Sequence, residues 1–438
     1  MVDIKKEIIN HIAFEQEYNK LRDESFSGFK LFHYVRIFFN LLKRFSITQN
    51  VFELKILIRR FIRYHNKKQN IAMLVDTLDK GGLEQVVVNI TRGVKENNVH
   101  IFITGKEYGE KGWLLASEGY KVFLLNDDFE LFQELTRQNN IKVINSHFSV
   151  WNLWGIAEVL KIKLIYTIHN SYTWIEEPVF RKNRKEAYRY VHKFIAVSHT
   201  VKDYFSKNFD VERARISVIE NGLDTRELSR PKILAKPGKD FIFLNVGTIT
   251  PLKNQLLLIS AFKDLSEIIP NVSLYLVGNN SEEYFDTIKN YLKKYKLTNK
   301  VLIVPFVSRR EISNLYRSAN CFVLSSLQEG CPNVLLESLY FGLPTISTDV
   351  GNAKSLLRGL GYLVKNGYQD LSKTRIETLM KLANSENQPN KKELVMAMQN
   401  MVKDYYRWRL KSKAMNAYIR SNYNISKMIS RYEKIFSS

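Results

Sequence analysis

From residue 70 onward, short apolar runs alternate with stretches whose apolar residues recur every three to four positions, the pattern of β-α-β units and parallel sheets. Runs at 70–77, 100–105, 121–126, 142–147, 163–169, 193–198 and 216–222 predict strands in a first half. The two-proline segment SRPKILAKPGKD (229–240) interrupts the pattern and reads as an interdomain linker. The alternation then restarts with runs at 241–248, 272–278, 300–306, 321–326 and 344–349. Residues 1–68 and 375–438 lack it and carry helical spacing instead. The expected fold is α/β, with two Rossmann-like, doubly wound domains across a cleft and a helical N-terminal extension. The expected boundaries are 1–68 for the extension, 69–230 and 231–412 for the domains, and 413–438 for helices returning to the first domain.

A length of 438 residues exceeds one core, as two domains require. Lysine and arginine number 66 against 44 acids, a net charge of +22, which favours phosphate-bearing partners: nucleic acid, an anionic membrane face or a nucleotide-linked substrate. No aromatic-basic motif of a nucleic-acid reader is present, so nucleic acid is not expected as a partner. The opening residues lack an apolar core followed by a small-residue cleavage site, and no run of 18 apolar residues occurs, so a cytoplasmic location is expected. Cys321 and Cys331 have no metal-ligand spacing, and neither a disulfide nor a bound metal is expected.

In open parallel sheets, ligands lie beyond the carboxyl ends of strands, so the loops there are the places to look. Gly81 and Gly82 precede an apolar-periodic helix and would let backbone approach a phosphate or sugar; a plain strand-to-helix turn explains them equally well. His147 and His169 each end a predicted strand, where a histidine either meets a substrate hydroxyl or caps its own loop. Lys253 follows the first strand of the second half, where it could neutralise a diphosphate or be one more surface lysine. In SSLQEGCPNVLLES, a helix predicted to begin near Pro332 offers unpaired N–H groups to an anion. Glu329 stands before that helix start, and Glu337 stands inside a largely apolar helix, where a glutamate needs a partner.

These segments together resemble the family-4 retaining glycosyltransferases, enzymes of the GT-B fold, over the chain from about residue 70 to its end. KGGLEQVV is similar to that family's Gly-Gly loop, FIAVSHTVKDYF and VIENGLDTREL to its Val-Ser and Asn-Gly-x-Asp segments, and LNVGTITPLKNQLLLISAF to its phosphate strand and helix. EGCPNVLLESLYFGLPTISTDVGN resembles its Glu-x7-Glu signature and the Gly-x-Pro strand after it. The resemblance implies that Glu337 binds the ribose of a nucleotide, Glu329 the donor sugar, and the amides around Asn333, Val334 and Leu335 the phosphates. It implies that Lys253 stabilises the leaving diphosphate, that Gly82 approaches it from the other domain, and that His169 lies beside the sugar. Two departures stand out: Thr248 occupies the place of the usual arginine five residues before the lysine, and Lys354 lies near a usual glutamate.

The implied activity is hexosyl transfer, with retention, from a nucleotide-diphosphate sugar, expected to be UDP-linked, to a glycan or lipid-linked hydroxyl in bacterial surface polysaccharide or glycolipid synthesis. No metal or other cofactor is implied. The alternatives are an inactive GT-B partner subunit, a glycan-binding module, or a glycoside hydrolase working through Glu329 and Glu337, whose carboxyls would face one bond. In the extension, residues 30–68 hold ten lysines and arginines against Glu53 alone, with Leu31, Val35, Phe38, Leu42 and Phe45 at helical spacing. That pattern predicts peripheral attachment to an anionic inner membrane face through Arg59, Arg60 and Arg63; helices packed on the first domain are the other reading.

Overall fold

The structure, a computed structural model, describes residues 69–438 except 80, 174–177, 227, 229–239, 280, 281 and 306, together with Ile56, Arg59, Arg60 and Arg63. The first sheet contains β1 (Gln69–Val75), β2 (Asn97–Ile103), β3 (Lys121–Leu124), β4 (Ile141–His147), β5 (Lys163–Ile168), β6 (Lys193–Ala196) and β7 (Ile216–Val218). They lie parallel in the order β3-β2-β1-β4-β5-β6-β7. In β1, Ile71, Met73 and Val75 alternate with Ala72 and Leu74, and none of the five is more than 1% exposed. A strand apolar on both faces must be covered on both. Helices Gly82–Gly93 and Gly109–Ser117 cover one face together with the last helix, Ile425–Ser437, whose Met428, Tyr432 and Phe436 cluster with Ile71, Val87 and Ile90. On the other face, Phe132, Tyr188 and Phe205, from helices Phe129–Gln138, Pro178–Tyr188 and His199–Phe209, cover Ala72, Leu74 and Tyr166.

The second sheet contains β8 (Phe241–Val246), β9 (Val272–Val277), β10 (Val301–Val304), β11 (Cys321–Leu324), β12 (Thr345–Thr348) and β13 (Tyr362–Val364), parallel in the order β10-β9-β8-β11-β12-β13. Each apolar run singled out above overlaps one strand, and β13 is an addition. In both sheets the strand order reverses once, between β1 and β4 and between β8 and β11. Those reversals are the two points where an open sheet leaves a crevice.

The boundary expected at 412/413 falls inside the helix Tyr405–Asn422, which stays with the second domain: Asn416 donates to Tyr340 O, and Met415 and Ile419 join Leu336 in one core cluster. The chain turns back only at Tyr423, whose carbonyl accepts Leu223 N–H at 2.6 Å. The helix Ile425–Ser437 then lies on the first domain, where Glu433 Oε1 accepts Lys95 N–H at 2.7 Å and Lys163 Nζ reaches Ile435 O at 3.0 Å.

Most of the extension over 1–68 lies outside the described residues. Two of the cations expected to face a membrane are engaged elsewhere. Arg59 Nη1 donates to Ser117 O at 3.1 Å, Arg63 Nη2 donates to Glu118 O at 3.4 Å, and the Arg63 guanidinium sits 3.6 Å from the centre of the Tyr120 ring. The unpaired carbonyls ending the helix Gly109–Ser117 form the negative end of its dipole and attract these cations. Arg59 and Arg63 thus each make a contact to the first domain, with Arg59 still exposed.

Candidate active site

The four loops that leave the reversal points carry the candidate chemistry: Gly82 after β1, His147 at the end of β4, Lys253 after β8 and Glu329 after β11. Lys253 closes a short turn, Pro251–Lys253, and is followed by Asn254 in the left-handed region, with φ of 55°. The Asn254 and Gln388 amides bond reciprocally, at 2.9 and 2.7 Å, and hold that residue in place. Ser325 Oγ donates to Lys253 O at 3.0 Å. A backbone fixed on both sides aims the side chain, and Lys253 Nζ meets Glu329 Oε1 at 2.6 Å. Ser326 Oγ donates to the same oxygen at 2.7 Å. The Glu329 side chain is 9% exposed and that of Lys253 34%, so the cation is the member open to a ligand.

The helix after Glu329 runs from Asn333 to Tyr340, with Pro332 in the capping position. Leu335 N–H already donates to Pro332 O at 3.1 Å, so of the three amides expected to meet phosphate only those of Asn333 and Val334 are unpaired among the described residues. A short 3₁₀-type bond at a helix start uses up one donor in this way. Glu337 is 3% exposed, and its Oε2 accepts Tyr316 Oη at 2.9 Å. Tyr316 is stacked on Phe341, 5.2 Å apart at 10°. Glu337 is thus oriented by Tyr316 and Glu329 by Lys253.

Gly82 begins the helix Gly82–Gly93, and its carbonyl accepts Asn333 Nδ2 at 3.3 Å across the cleft. A Cβ on Gly82 would find only that amide, at 3.8 Å, so the glycine leaves open space beside the helix start. His169 Nε2 and His147 Nδ1 are 2.9 Å apart, and both rings are held well below the ordinary histidine range by desolvation. Two neutral rings share one proton in that contact. His147 Nε2 is buried without a partner. A buried orphan acceptor costs less than a buried orphan N–H, so the proton of His147 sits on Nδ1 and is donated to His169. His169 then carries its own proton on Nδ1, as a neutral donor. In sequence the two histidines are 22 positions apart at separate strand ends; adjacency of β4 and β5 makes them a unit.

His100, on β2, is pushed down to about 3 by burial and then by the charge of Lys121. Because the folded values lie below the ordinary 6.5, the unfolded chain takes up protons first as pH falls. This contribution to stability is complete above about pH 6.5 and declines below it. Urea unfolding at pH 7 and pH 5 is expected to differ by on the order of 2 kcal/mol through His100, with His147 and His169 adding in the same direction. Equal stabilities at the two pH values would contradict their burial as neutral rings.

Sequence reasoning missed the contacts that bring the domains together. Gln328 accepts Thr173 Oγ1 and donates to Asn170 Oδ1 at 2.9 Å. Asn221 Nδ2 bonds Cys331 O at 2.9 Å and Asn333 Oδ1 at 3.0 Å, while Asn352 Nδ2 reaches Glu220 Oε1 at 2.9 Å. The Glu-Asn-Gly of VIENGLD was the available signal, since two polar residues next to a glycine after a strand mark a cleft-edge loop. Thr248 is exposed and supplies no cation; Lys354 is exposed in the short helix Ala353–Leu357, and among the described residues no hydrogen bond or ion pair ties it to the site. Among the described residues no cluster of His, Cys, Asp and Glu could hold a metal ion, and no helix is long and apolar enough to cross a membrane.

Two Rossmann-like domains with facing reversal points define the GT-B class. Solved structures share the fold: Anabaena Alr3699/HepE in complex with UDP superposes with a TM-score of 0.68 at 16% identity, covering 84% of this chain and 100% of that one. A sucrose-phosphate synthase of Thermosynechococcus elongatus does so at 0.64 and 15%, covering 84% and 98%. Residues 80–227 match the family model described as Glycosyltransferase Family 4, and residues 227–394 the model described as Glycosyl transferases group 1. The chain belongs to the family-4 glycosyltransferases.

Among curated relatives, the UDP-Gal:alpha-D-GlcNAc-diphosphoundecaprenol alpha-1,3-galactosyltransferase of Escherichia coli is 26% identical over 252 residues, 53% of this chain and 64% of that protein. Mannosylfructose-phosphate synthase of Agrobacterium fabrum is 28% identical over 260 residues, 51% and 56% respectively. An undecaprenol-dependent alpha-1,4-N-acetyl-D-galactosaminyltransferase of Campylobacter jejuni is 23% identical over 357 residues, 76% and 94%. The first curated relatives are thus matched over 64, 52 and 56% of their own lengths.

Proposed function

We propose that this chain transfers a sugar from a UDP-linked donor to a hydroxyl of a glycan or lipid-linked acceptor, with retention of anomeric configuration. The observation that supports it best is the juxtaposition of Lys253, Glu329 and the start of the helix Asn333–Tyr340 at one sheet reversal, opposite Gly82 and His169 at the other. Lys253 and the Asn333 and Val334 amides would neutralise the diphosphate as it leaves, a preorganised field that acts on charge developing in the transition state. Glu337, oriented by Tyr316, would bind ribose hydroxyls, and Glu329 would bind the donor sugar once Lys253 turns from it to phosphate. His169 would donate to a sugar hydroxyl as a neutral group. No metal or other cofactor enters this scheme. The complex of Anabaena Alr3699/HepE with UDP-glucose and the diphosphoundecaprenol acceptor named for the Escherichia coli relative point to the two substrate classes. A cytoplasmic enzyme on the inner membrane face fits that acceptor.

The test is to incubate the purified protein with UDP-glucose, UDP-galactose, UDP-N-acetylglucosamine and GDP-mannose, following nucleotide release and melting temperature with and without EDTA. A UDP-sugar is expected to protect and to turn over equally in both conditions. Glu337→Ala should weaken that donor by about ten- to a hundredfold, the worth of a charged hydrogen bond. If no nucleotide sugar protects or reacts, the inactive partner subunit, favoured by Thr248, becomes the better reading.

A further inference from the structure

The outer face of the helix Tyr405–Asn422 serves none of the roles above. Its inner face is committed, with Tyr405, Ser412, Met415 and Ile419 buried. The opposite stripe passes through Tyr406, Leu410, Lys413, Ala417 and Arg420, at successive steps of four and three residues, and all five are exposed. Tyr406 is 61% exposed and Leu410 67%, the two highest values among large apolar side chains of the described residues. Six cations, Lys403, Arg407, Arg409, Lys411, Lys413 and Arg420, accompany Asp404 as the single acid between residues 403 and 420. Lys403, Arg407, Lys413 and Arg420 have no ion pair among the described residues. Lys411 Nζ stands 4.3 Å from the centre of the Trp408 ring.

We propose that this face docks the second domain on an anionic lipid bilayer, with Tyr406 and Leu410 entering the interfacial layer and the cations meeting lipid phosphates. Exposed Leu and Tyr on a helix whose flanks are Lys and Arg is the composition of an interfacial helix, with aromatic rings at headgroup depth and long cationic stems reaching back to phosphate. The charge chooses the occupant. A second copy of the face would set six cations against six, and the N-terminal residues 30–68, with ten Lys and Arg against one acid, repel it likewise. Nucleic acid would match the charge and leave Leu410 in water. The surface is separate from the donor site, so the proposal rests on no assumption about the reaction.

The test compares the full-length protein with Y406S/L410S and with K403Q/R407Q/K413Q, all exposed positions whose replacement leaves the core intact. Sedimentation uses vesicles of phosphatidylcholine alone and of three parts phosphatidylcholine to one part phosphatidylglycerol. The parent is expected to bind only the anionic vesicles and to be released by 0.5 M salt, where the Debye length falls to about 4 Å. Each triple or double variant should lose about tenfold or more in partition coefficient while its melting temperature stays at that of the parent. Binding by both variants equal to the parent's overturns the proposal, as does a parent that ignores anionic vesicles. It is also overturned if light scattering shows a dimer that Y406S/L410S makes monomeric, or if the charge variant loses affinity for duplex DNA and none for vesicles.

Discussion

Lys253→Ala is expected to lower kcat by about two to three orders of magnitude, with donor affinity changed less than tenfold, because removing one preorganised group from a developing oxyanion has an effect of that size. Two features of this chain argue for the upper end. Thr248 brings no second cation to the loop, so Lys253 has no neighbour on its own strand-to-helix connection to share the charge. The lysine is also the partner of a nearly buried carboxylate, and alanine leaves Glu329 with only Ser326 on that oxygen. The melting temperature separates the two effects: if Lys253→Ala keeps the parent's stability while turnover falls, the charge acts on the leaving group. Steady-state kinetics with the donor found to react, within threefold of the parent, would sink the assignment.

The second large effect is expected from Gly330→Ala, at a residue without catalytic chemistry. A Cβ there would lie 2.0 Å from His169 O and 2.8 Å from Val197 Cγ2, both across the cleft. Backbone oxygen on one sheet's loop and a packed valine cannot yield that distance, so the domains must separate. Separation breaks the Gln328 bonds to Thr173 and Asn170 and so shifts the loop of Glu329 relative to the first domain. Misplacement of reacting groups by about 1 Å costs on the order of a hundredfold, so activity should fall by at least about that much. One buried cluster is shared by the two domains, Val197 and Leu223 with Cys331 and Leu335, so the melting temperature should fall as well. Small-angle scattering should report a larger radius of gyration; an unchanged radius with full activity would show that the loop can shift aside.

The fold could be read closely from the chain because fully buried parallel strands write themselves as apolar runs, as IAMLV in β1 does. β13 escaped because Tyr-Leu-Val is three residues long and gives no period to detect. The domain boundary was misplaced within the helix Tyr405–Asn422 because its helical spacing continues unbroken, with neither glycine nor proline, until Asn424. That asparagine caps the last helix by accepting Lys427 N–H, a start signal that could have been weighed. Site residues were legible where they sit at the ends of strands, because topology sends those ends to one edge. Their partners were not. Tyr316 and Glu337 are 21 positions apart and Thr173 and Gln328 155, and pairs of that kind are fixed by packing rather than by spacing.

The return of the chain at Tyr423 makes the first domain discontinuous: its wall includes Met428, Tyr432 and Phe436 from the far end of the polypeptide. A gene fragment ending at residue 228 would therefore encode a sheet with one apolar trough open to solvent, prone to self-association. The same trough makes a peptide of residues 423–438, supplied separately, its natural complement. Reassembly in trans, with solubility as the readout, would show that the tail is the missing wall of the first domain.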